Sequence, residues 1–240
     1  MEITSLKNPK VIFWTKLRQK KYRDENNLFI VESAHLVEEA LKKGIVSEII
    51  TLSDEKYNVP TYKVTYDIMK KISNLTTPNN IMAVCNFLLP SEIIGNNILI
   101  LDRIQDPGNL GTIIRSCVAF DTQTLIISDD TVDIYNDKVI RSSEGMIFNI
   151  NIIRSNLLDI IPKLKNLRYK VYGTSVVNGK NIREINNERC AFIIGSEGQG
   201  ISEEVKNMCD GFIYINMSEK CESLNAAVAG SIIMYNMFDR

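Results

Sequence analysis

The chain has 240 residues, 45% of them hydrophobic, and a formal net charge of -1. That size lets roughly 70–75% of the unfolded surface leave water, enough for one or two conventional cores. The near-zero charge excludes whole-molecule attraction to nucleic acid, so any such contact needs a local concentration of Lys and Arg. The five cysteines, Cys85, Cys117, Cys190, Cys209 and Cys221, are widely separated and show no C-x-x-C pairing, which argues against a zinc knuckle and for a reducing cytoplasm. His35 is the single histidine; it excludes Ser-His and Cys-His triads and multi-histidine metal sites, and reads as a structural helix residue. No window approaches ~18 consecutive apolar residues and the N-terminus lacks a signal-peptide pattern, so a soluble, cytoplasmic, unprocessed protein without a membrane partner is expected.

In chain order, the first feature is a basic patch. Residues 3–23 contain Lys7, Lys10, Lys16, Arg18, Lys20, Lys21 and Arg23 without an Asp or Glu, interleaved with Phe13, Trp14 and Tyr22. The pattern reads either as a solvated amphipathic helix with its aromatics inward or as an RNA contact, and both can hold. The extended run Leu28–Glu32 gives way to Ala34–Lys43, where Leu36, Val37, Ala40 and Leu41 recur at helical spacing before Gly44; this predicts strand, helix and C-terminal cap. Strands are expected at 48–52 and 81–87, separated by a helix over 67–75 that stops before Thr77-Pro78. Residues 1–90 thus read as a small α/β domain, followed by a linker-like stretch at 89–97.

Over residues 91–240, apolar runs at 98–101, 124–128, 169–173, 191–195 and 212–215 alternate with helical patterns. Continuous apolar strands between helices predict a mostly parallel sheet with helices on both faces. Ligands of such sheets settle beyond the carboxyl ends of the strands, and three of those ends are unusual.

The first, residues 101–115, is a strand, a polar turn with Pro107 and Gly108, and a helix. Asn109 at the helix start reads as a cap, and Arg115 stands among Ile113, Ile114, Cys117 and Val118, either partnered internally or kept for an anion such as a phosphate. The second, residues 191–202, opens a buried strand into three glycines around Glu197. It lacks the Lys-Ser/Thr ending of a P-loop and the G-x-G-x-x-G spacing of a dinucleotide site. Glu197 would repel phosphate, so a positively charged ligand with ribose hydroxyls, a sulfonium compound for one, suits it better; a turn capped by Ser202 accounts for the end of the segment but not for Glu197. The third, residues 212–229, leads a strand through a polar loop into a helix rich in small residues. Ser223 or Asn225 could merely cap that helix, and Ala226, Ala227, Ala229, Gly230 and Ser231 allow a helix or a ligand to approach its backbone.

Asn109 with Arg115, Gly195-Ser-Glu197-Gly-Gln-Gly200, and Ser223-Leu224-Asn225 resemble the three signature motifs of the SpoU/TrmH class of RNA 2′-O-ribose methyltransferases in the SPOUT superfamily. Lys138 and the run from Arg141 to Gly145 resemble a further family segment, and the resemblance spans residues 98–238. The N-terminal residues Ile3 to Pro9, Arg23 and Phe29 to Glu32 are similar to the ribosomal-protein-like substrate-binding domain that many members carry.

The resemblance implies a deep trefoil knot in the domain over 91–240, a homodimer, and S-adenosylmethionine as donor, held near Thr174, Gly195, Ile215, Met217 and Leu224, with no metal. It implies a catalytic group of Asn109, Arg115, Glu197, Ser223 and Asn225, and rRNA or tRNA, not DNA, as partner. Lys7, Lys16, Arg18, Lys20, Lys21, Arg23 and Arg141 are the expected RNA contacts. By family analogy Arg115 activates the ribose hydroxyl; a guanidinium keeps its proton (pKa above ~12), so stabilising the developing alkoxide is at least as consistent. Three positions depart from the family pattern: Asn216 where Pro is usual, Glu219 where Gly is usual, and Ser33 where Gly is common. The first two admit a second reading, an RNA-binding homologue without catalysis. A dehydrogenase would need the dinucleotide fingerprint that is missing.

Overall fold

In the computed structural model, which describes residues 1–176, 179–186 and 189–238, the chain divides into two units: Met1–Leu89 with Asp133–Phe148, and Pro90–Val132 with Asn149–Arg240. The first holds β1 (Glu2–Ile3), α1 (Pro9–Lys16), α2 (Lys20–Asn26), β2 (Leu28–Glu32), α3 (Ala34–Lys43), β3 (Val46–Thr51), β4 (Thr61–Val64), α4 (Tyr66–Ile72) and β5 (Ile81–Asn86). Its sheet runs β1-β4-β3-β5-β2, parallel through β1, β4 and β3 and antiparallel through β3, β5 and β2.

Local chemistry sets these elements. Alternation in β2 buries Phe29 and Val31 and leaves Leu28, Ile30 and Glu32 half-buried, as a pleated strand with one face on a core requires. Helix α3 starts where Ser33 Oγ accepts from Leu36 N at 3.2 Å and stops at Gly44, whose φ of 73° a residue without Cβ adopts freely. Ser33 itself sits at φ 137°, which explains why glycine would suit the position. Trp14 of the basic patch is buried edge-to-face on Tyr62 at 5.5 Å, and its Nε1 donates to Glu48 Oε2 at 2.9 Å. An apolar body inside with a satisfied N–H is the favourable state of a tryptophan, so this aromatic packs inward. Lys10, one turn before it, bonds the same Glu48 and lies 4.5 Å from the Tyr62 ring, while Lys7, Lys16, Arg18, Lys20 and Lys21 are exposed.

Residues 133–148, expected in the C-terminal domain, pack with the first unit. Tyr135 stacks on Phe87 at 4.0 Å and lies 4.5 Å from Phe29, and its hydroxyl accepts from Leu88 N at 2.7 Å. Arg23, expected among the RNA contacts, is 6% exposed. Its Nη1 donates to Leu17 O and Arg18 O at 3.0 and 2.8 Å, and its Nη2 meets Asp133 at 2.5 Å. That expectation is corrected: a buried guanidinium must be paired, and this one is committed to anchoring the 133–148 segment, which carries the short helix α6 (Asp137–Ser142).

The second unit holds β6 (Asn97–Asp102), α5 (Pro107–Ala119), β7 (Thr124–Ile127), β8 (Asn151–Arg154), α7 (Leu157–Asn166), β9 (Lys170–Thr174), β10 (Lys180–Asn181), β11 (Cys190–Gly195), α8 (Glu203–Lys206), β12 (Gly211–Tyr214) and α9 (Ala226–Phe238). The sheet order is β10-β12-β9-β11-β6-β7-β8, and every neighbouring pair is parallel. All carboxyl ends therefore share one edge. Alternate residues of each strand meet opposite layers: Ile98, Ile100, Ala191 and Ile193 cluster with Leu157, Ile161 and Val205 of α7 and α8. On the other face, the Cβ that Gly230 of α9 lacks would lie 3.0 Å from Ile194 and 3.7 Å from Ile113 of α5. Strand β11, late in the chain, inserts between β9 and β6 and sets Gly195 opposite Asp102. Among the described residues, no helix is long and apolar enough to cross a membrane.

Candidate functional site

Helix α5 begins at the edge where β6 ends. Asp106, not Asn109, caps it: Asp106 Oδ1 accepts from Asn109 N at 2.8 Å, and Pro107 fills the first helical position, where a missing N–H costs nothing. The Asn109 side chain is thereby released for long-range contacts. Its Nδ2 donates to Glu197 Oε1 at 2.8 Å and its Oδ1 accepts from Asn225 Nδ2 at 2.9 Å. Asn225 caps α9, its Oδ1 accepting from Ala227 N and Val228 N at 2.9 and 3.3 Å. The amide orientations follow from chemistry. A carboxylate only accepts, so Asn109 must turn its NH2 to Glu197 and its oxygen to Asn225, which leaves the Asn225 oxygen for the helix. The three loops thus meet in one chain of hydrogen bonds, and the capping role and the long-range role of Asn225 coexist.

The second loop is a closed hairpin. Ser196 and Gly200 exchange backbone bonds at 3.1 and 2.9 Å, and a Cβ on Gly195 would fall 2.0 Å from Gly200 C and 2.1 Å from Ile201 N. Only glycine fits. Ser202 precedes α8 but its side chain makes no cap bond; instead its N–H donates to Asp102 Oδ2 at 2.7 Å, tying the hairpin's exit to the end of β6.

Beside the hairpin lies a cavity of about 650 Å³, within the size range of small-molecule and cofactor sites. Thr174, Gly195, Ile215, Met217 and Leu224, the five residues expected around the donor, all line it, together with Glu197 and Ser223. Ile194, Phe212, Ile213 and Ala226 add apolar wall. The small residues of α9 serve both alternatives raised for them: Ala226 and Ala229 border the cavity while Gly230 packs on the sheet. Besides the apolar slot and the backbone cradle at Gly195, the charged lining consists of Glu197 and of Lys206, whose ammonium is paired with Glu203 at 2.6 Å. With that cation engaged, the carboxylate of Glu197 suits a nucleoside carrying a positive charge better than a phosphate.

Arg115 stands on α5 with Ile113, Ile114 and Cys117 turned inward. It is exposed and makes no hydrogen bond or ion pair with another described residue, so the alternative of an internal partner falls away. It does not touch the Asn109–Glu197–Asn225 chain. Asn216 and Glu219 are exposed, and neither has a positive φ, so the absence of Pro and Gly forces no backbone strain on the third loop.

Of the basic residues in the first unit, Lys7, Lys16, Arg18, Lys20 and Lys21 are exposed and Arg141 is half-buried. Lys20 pairs with Asp24 at 2.5 Å, Lys21 with Glu25 at 3.9 Å and Arg141 with Asp137 at 2.5 Å. Arg18 bonds Asn74, and Lys16 lies 5.2 Å from the Tyr22 ring. Exposed pairs of this kind are weak, on the order of 0–1 kcal/mol, and yield to a phosphate. His35 contributes a contact with Glu144 O at 3.2 Å, a structural role as expected. Sequence reasoning missed Asp102 and Arg103, although a carboxylate closing an otherwise apolar strand was a signal.

A parallel sheet covered on both faces, with three loops joined over a cavity at its carboxyl edge, defines a ligand-binding α/β unit, and comparison with known proteins gives its class. Residues 96–235 match the SpoU rRNA Methylase family and residues 8–83 the MRM3-like substrate binding domain. The chain belongs to the SpoU rRNA methylase family. It is 38% identical over 244 residues to the 23S rRNA (guanosine(2553)-2′-O)-methyltransferase RlmP of Bacillus subtilis, covering 98% of each chain. The AdoMet-bound rRNA methyltransferase of Sinorhizobium meliloti superposes with a TM-score of 0.89 at 27% identity, covering 98% of this chain and 96% of that one. The SpoU methyltransferase AviRb of Streptomyces viridochromogenes, in complex with AdoMet, shares the fold with a TM-score of 0.86 at 22% identity over 97% and 98% of the two chains.

Proposed function

We propose that this chain transfers a methyl group from S-adenosylmethionine to a ribose 2′-hydroxyl of an RNA, with rRNA favoured over tRNA by the full-length similarity to the Bacillus relative. The observation that carries the reading is the hydrogen-bonded chain from Asn225 through Asn109 to Glu197 at the rim of a cavity lined by Thr174, Gly195, Ile215, Met217 and Leu224.

When bound, S-adenosylmethionine supplies an electrophilic methyl group on a positively charged sulfur. The protein's task is then to aim a ribose hydroxyl and stabilise the charge it develops. Arg115, exposed and without a partner among the described residues, is assigned to that oxygen: a guanidinium retains its proton and stabilises the alkoxide electrostatically. Asn109, Glu197, Ser223 and Asn225 hold the loops and the substrate. Lys7, Lys16, Arg18, Lys20, Lys21 and Arg141 of the first unit engage RNA phosphates; residues 1–90, with 133–148 packed on them, act as the substrate-binding domain, and the rest of 91–240 as the catalytic domain. The reaction requires no metal, no DNA and no membrane, and we place it in the cytoplasm.

Two features of the family are carried over. A trefoil knot is supported by the late insertion of β11 between β6 and β9 and by the close backbone passage at Gly195. A homodimer is supported by the exposed apolar residues Val228, Tyr235 and Phe238 of α9, which a partner would cover. The reading is tested by incubating the protein with methyl-labelled S-adenosylmethionine and rRNA or tRNA, then digesting to nucleosides. Label in 2′-O-methyl nucleosides is expected; label only in bases, or none, would contradict it.

A further inference from the structure

Arg103, the residue after β6, stands at φ 60°, in the left-handed region that a side chain with a Cβ disfavours. None of the roles above uses it. Its N–H donates to Ser128 Oγ at 2.9 Å, which fixes the backbone. Its guanidinium spreads over three acceptors: Nε to Asp102 Oδ1 at 3.1 Å, Nη1 to Gln199 Oε1 at 3.1 Å and Nη2 to Gly200 O at 3.4 Å. Asp102 is buried, and its other oxygen holds Ser202 N. One side chain therefore ties the end of β6 to the turn and the far strand of the 196–200 hairpin.

That hairpin needs a tie. Residues 197–200 are exposed, and Gly198 and Gly200 give the segment the widest backbone freedom. Its own closure consists of the two backbone bonds between Ser196 and Gly200 and of Ser196 Oγ, which accepts from Gln199 N at 3.3 Å and donates to Gly200 O at 3.5 Å. From outside, Asn109 holds Glu197 but reaches neither Gln199 nor Gly200. Yet Gly195, Glu197, Gly198 and Gly200 all line the cavity, so an open hairpin is an unmade wall. We propose that Arg103 is a positioning residue that preorganises the 196–200 hairpin for donor binding. Backbone strain retained beside a binding loop, where glycine would remove it, is the pattern expected of a residue kept for function. Lysine could not replace it, because a point charge does not reach three acceptors as the planar fork does.

The proposal rests on the cavity being the donor site, and the experiment separates the two. S-adenosylhomocysteine binding is measured by calorimetry for the unaltered full chain, Arg103→Gly and Arg103→Lys, at a temperature where each is fully folded, so that a stability change cannot enter the binding constant. Binding by the unaltered chain with about tenfold or greater weakening in both variants is expected. Affinity within about twofold of the unaltered chain in Arg103→Gly overturns the proposal, as does full affinity in Arg103→Lys, which would leave charge alone as the requirement. No binding by the unaltered chain overturns the donor-site reading and this inference with it.

Discussion

Asn109 and Glu197 lie 88 residues apart and share a hydrogen bond of 2.8 Å, donated by the amide to the carboxylate. Because the same amide's oxygen accepts from Asn225, Asn109 joins both other loops. Asn109→Asp keeps the size but turns an acceptor toward Glu197 and places two carboxylates together. The methylation rate is expected to fall by about 10²-fold or more, read as initial rates at saturating donor; a rate unchanged by the substitution would remove Asn109 from the site.

Gly195 has no room for a methyl group, since its Cβ would fall 2.0 Å from backbone that cannot move independently. Gly195→Ala is expected to destabilise the fold by about 1–3 kcal/mol, the usual penalty of overpacking, and to abolish donor binding in calorimetry. Retained affinity would mean that the cradle at Gly195 is not where the donor sits.

Ser33 combines a positive φ with a cap bond to Leu36 N. Relief of the backbone is worth about 1–3 kcal/mol, while replacing a serine cap by glycine costs only a few tenths. Ser33→Gly should therefore stabilise the protein by about 1 kcal/mol in urea unfolding. A loss of stability would show that the side-chain bond outweighs the strain.

Asp210 offers a pH test. Burial alone would raise its carboxyl, but the Val171 N–H at 2.9 Å and Lys165 at 3.0 Å outweigh burial and hold it below its ordinary 3.8. A group depressed in the folded state stabilises it fully above the unfolded value, and that contribution disappears as pH falls through the folded value. The stability difference between the unaltered protein and Asp210→Asn should be largest near neutrality and shrink below pH 3.8. A difference that grows on acidification would reverse the assignment.

How much of this was legible in the sequence depended on whether the signal was local. Helix α3 runs over Ala34–Lys43 as its spacing predicts, because Ser33 and Gly44 mark both ends with side chains whose chemistry acts within one turn. The inner strands β6, β7 and β11 announce themselves as nearly unbroken apolar runs because both faces are buried, while β9, with Lys170 exposed and Tyr172 half-buried, is marked only by its alternation. The edge strands do not. Residues Asn151–Arg154 of β8 are half-buried or exposed and β10 has 2 residues, so neither leaves a periodicity. The cap of α5 was misplaced onto Asn109 although Pro107 pointed to Asp106, since proline prefers the position just after the cap. Nothing local could have shown Arg23 pairing with Asp133 across 110 residues, or drawn 133–148 to the first unit. Those facts exist only once Tyr135 has found Phe29 and Phe87.

The role proposed for Arg115 is to act on the ribose oxygen and not on the donor. Methyl transfer to RNA and S-adenosylhomocysteine affinity are measured side by side for the unaltered chain and Arg115→Ala. Transfer reduced by about 10²-fold or more with affinity preserved is the expected result; transfer at the unaltered rate would take Arg115 out of the reaction.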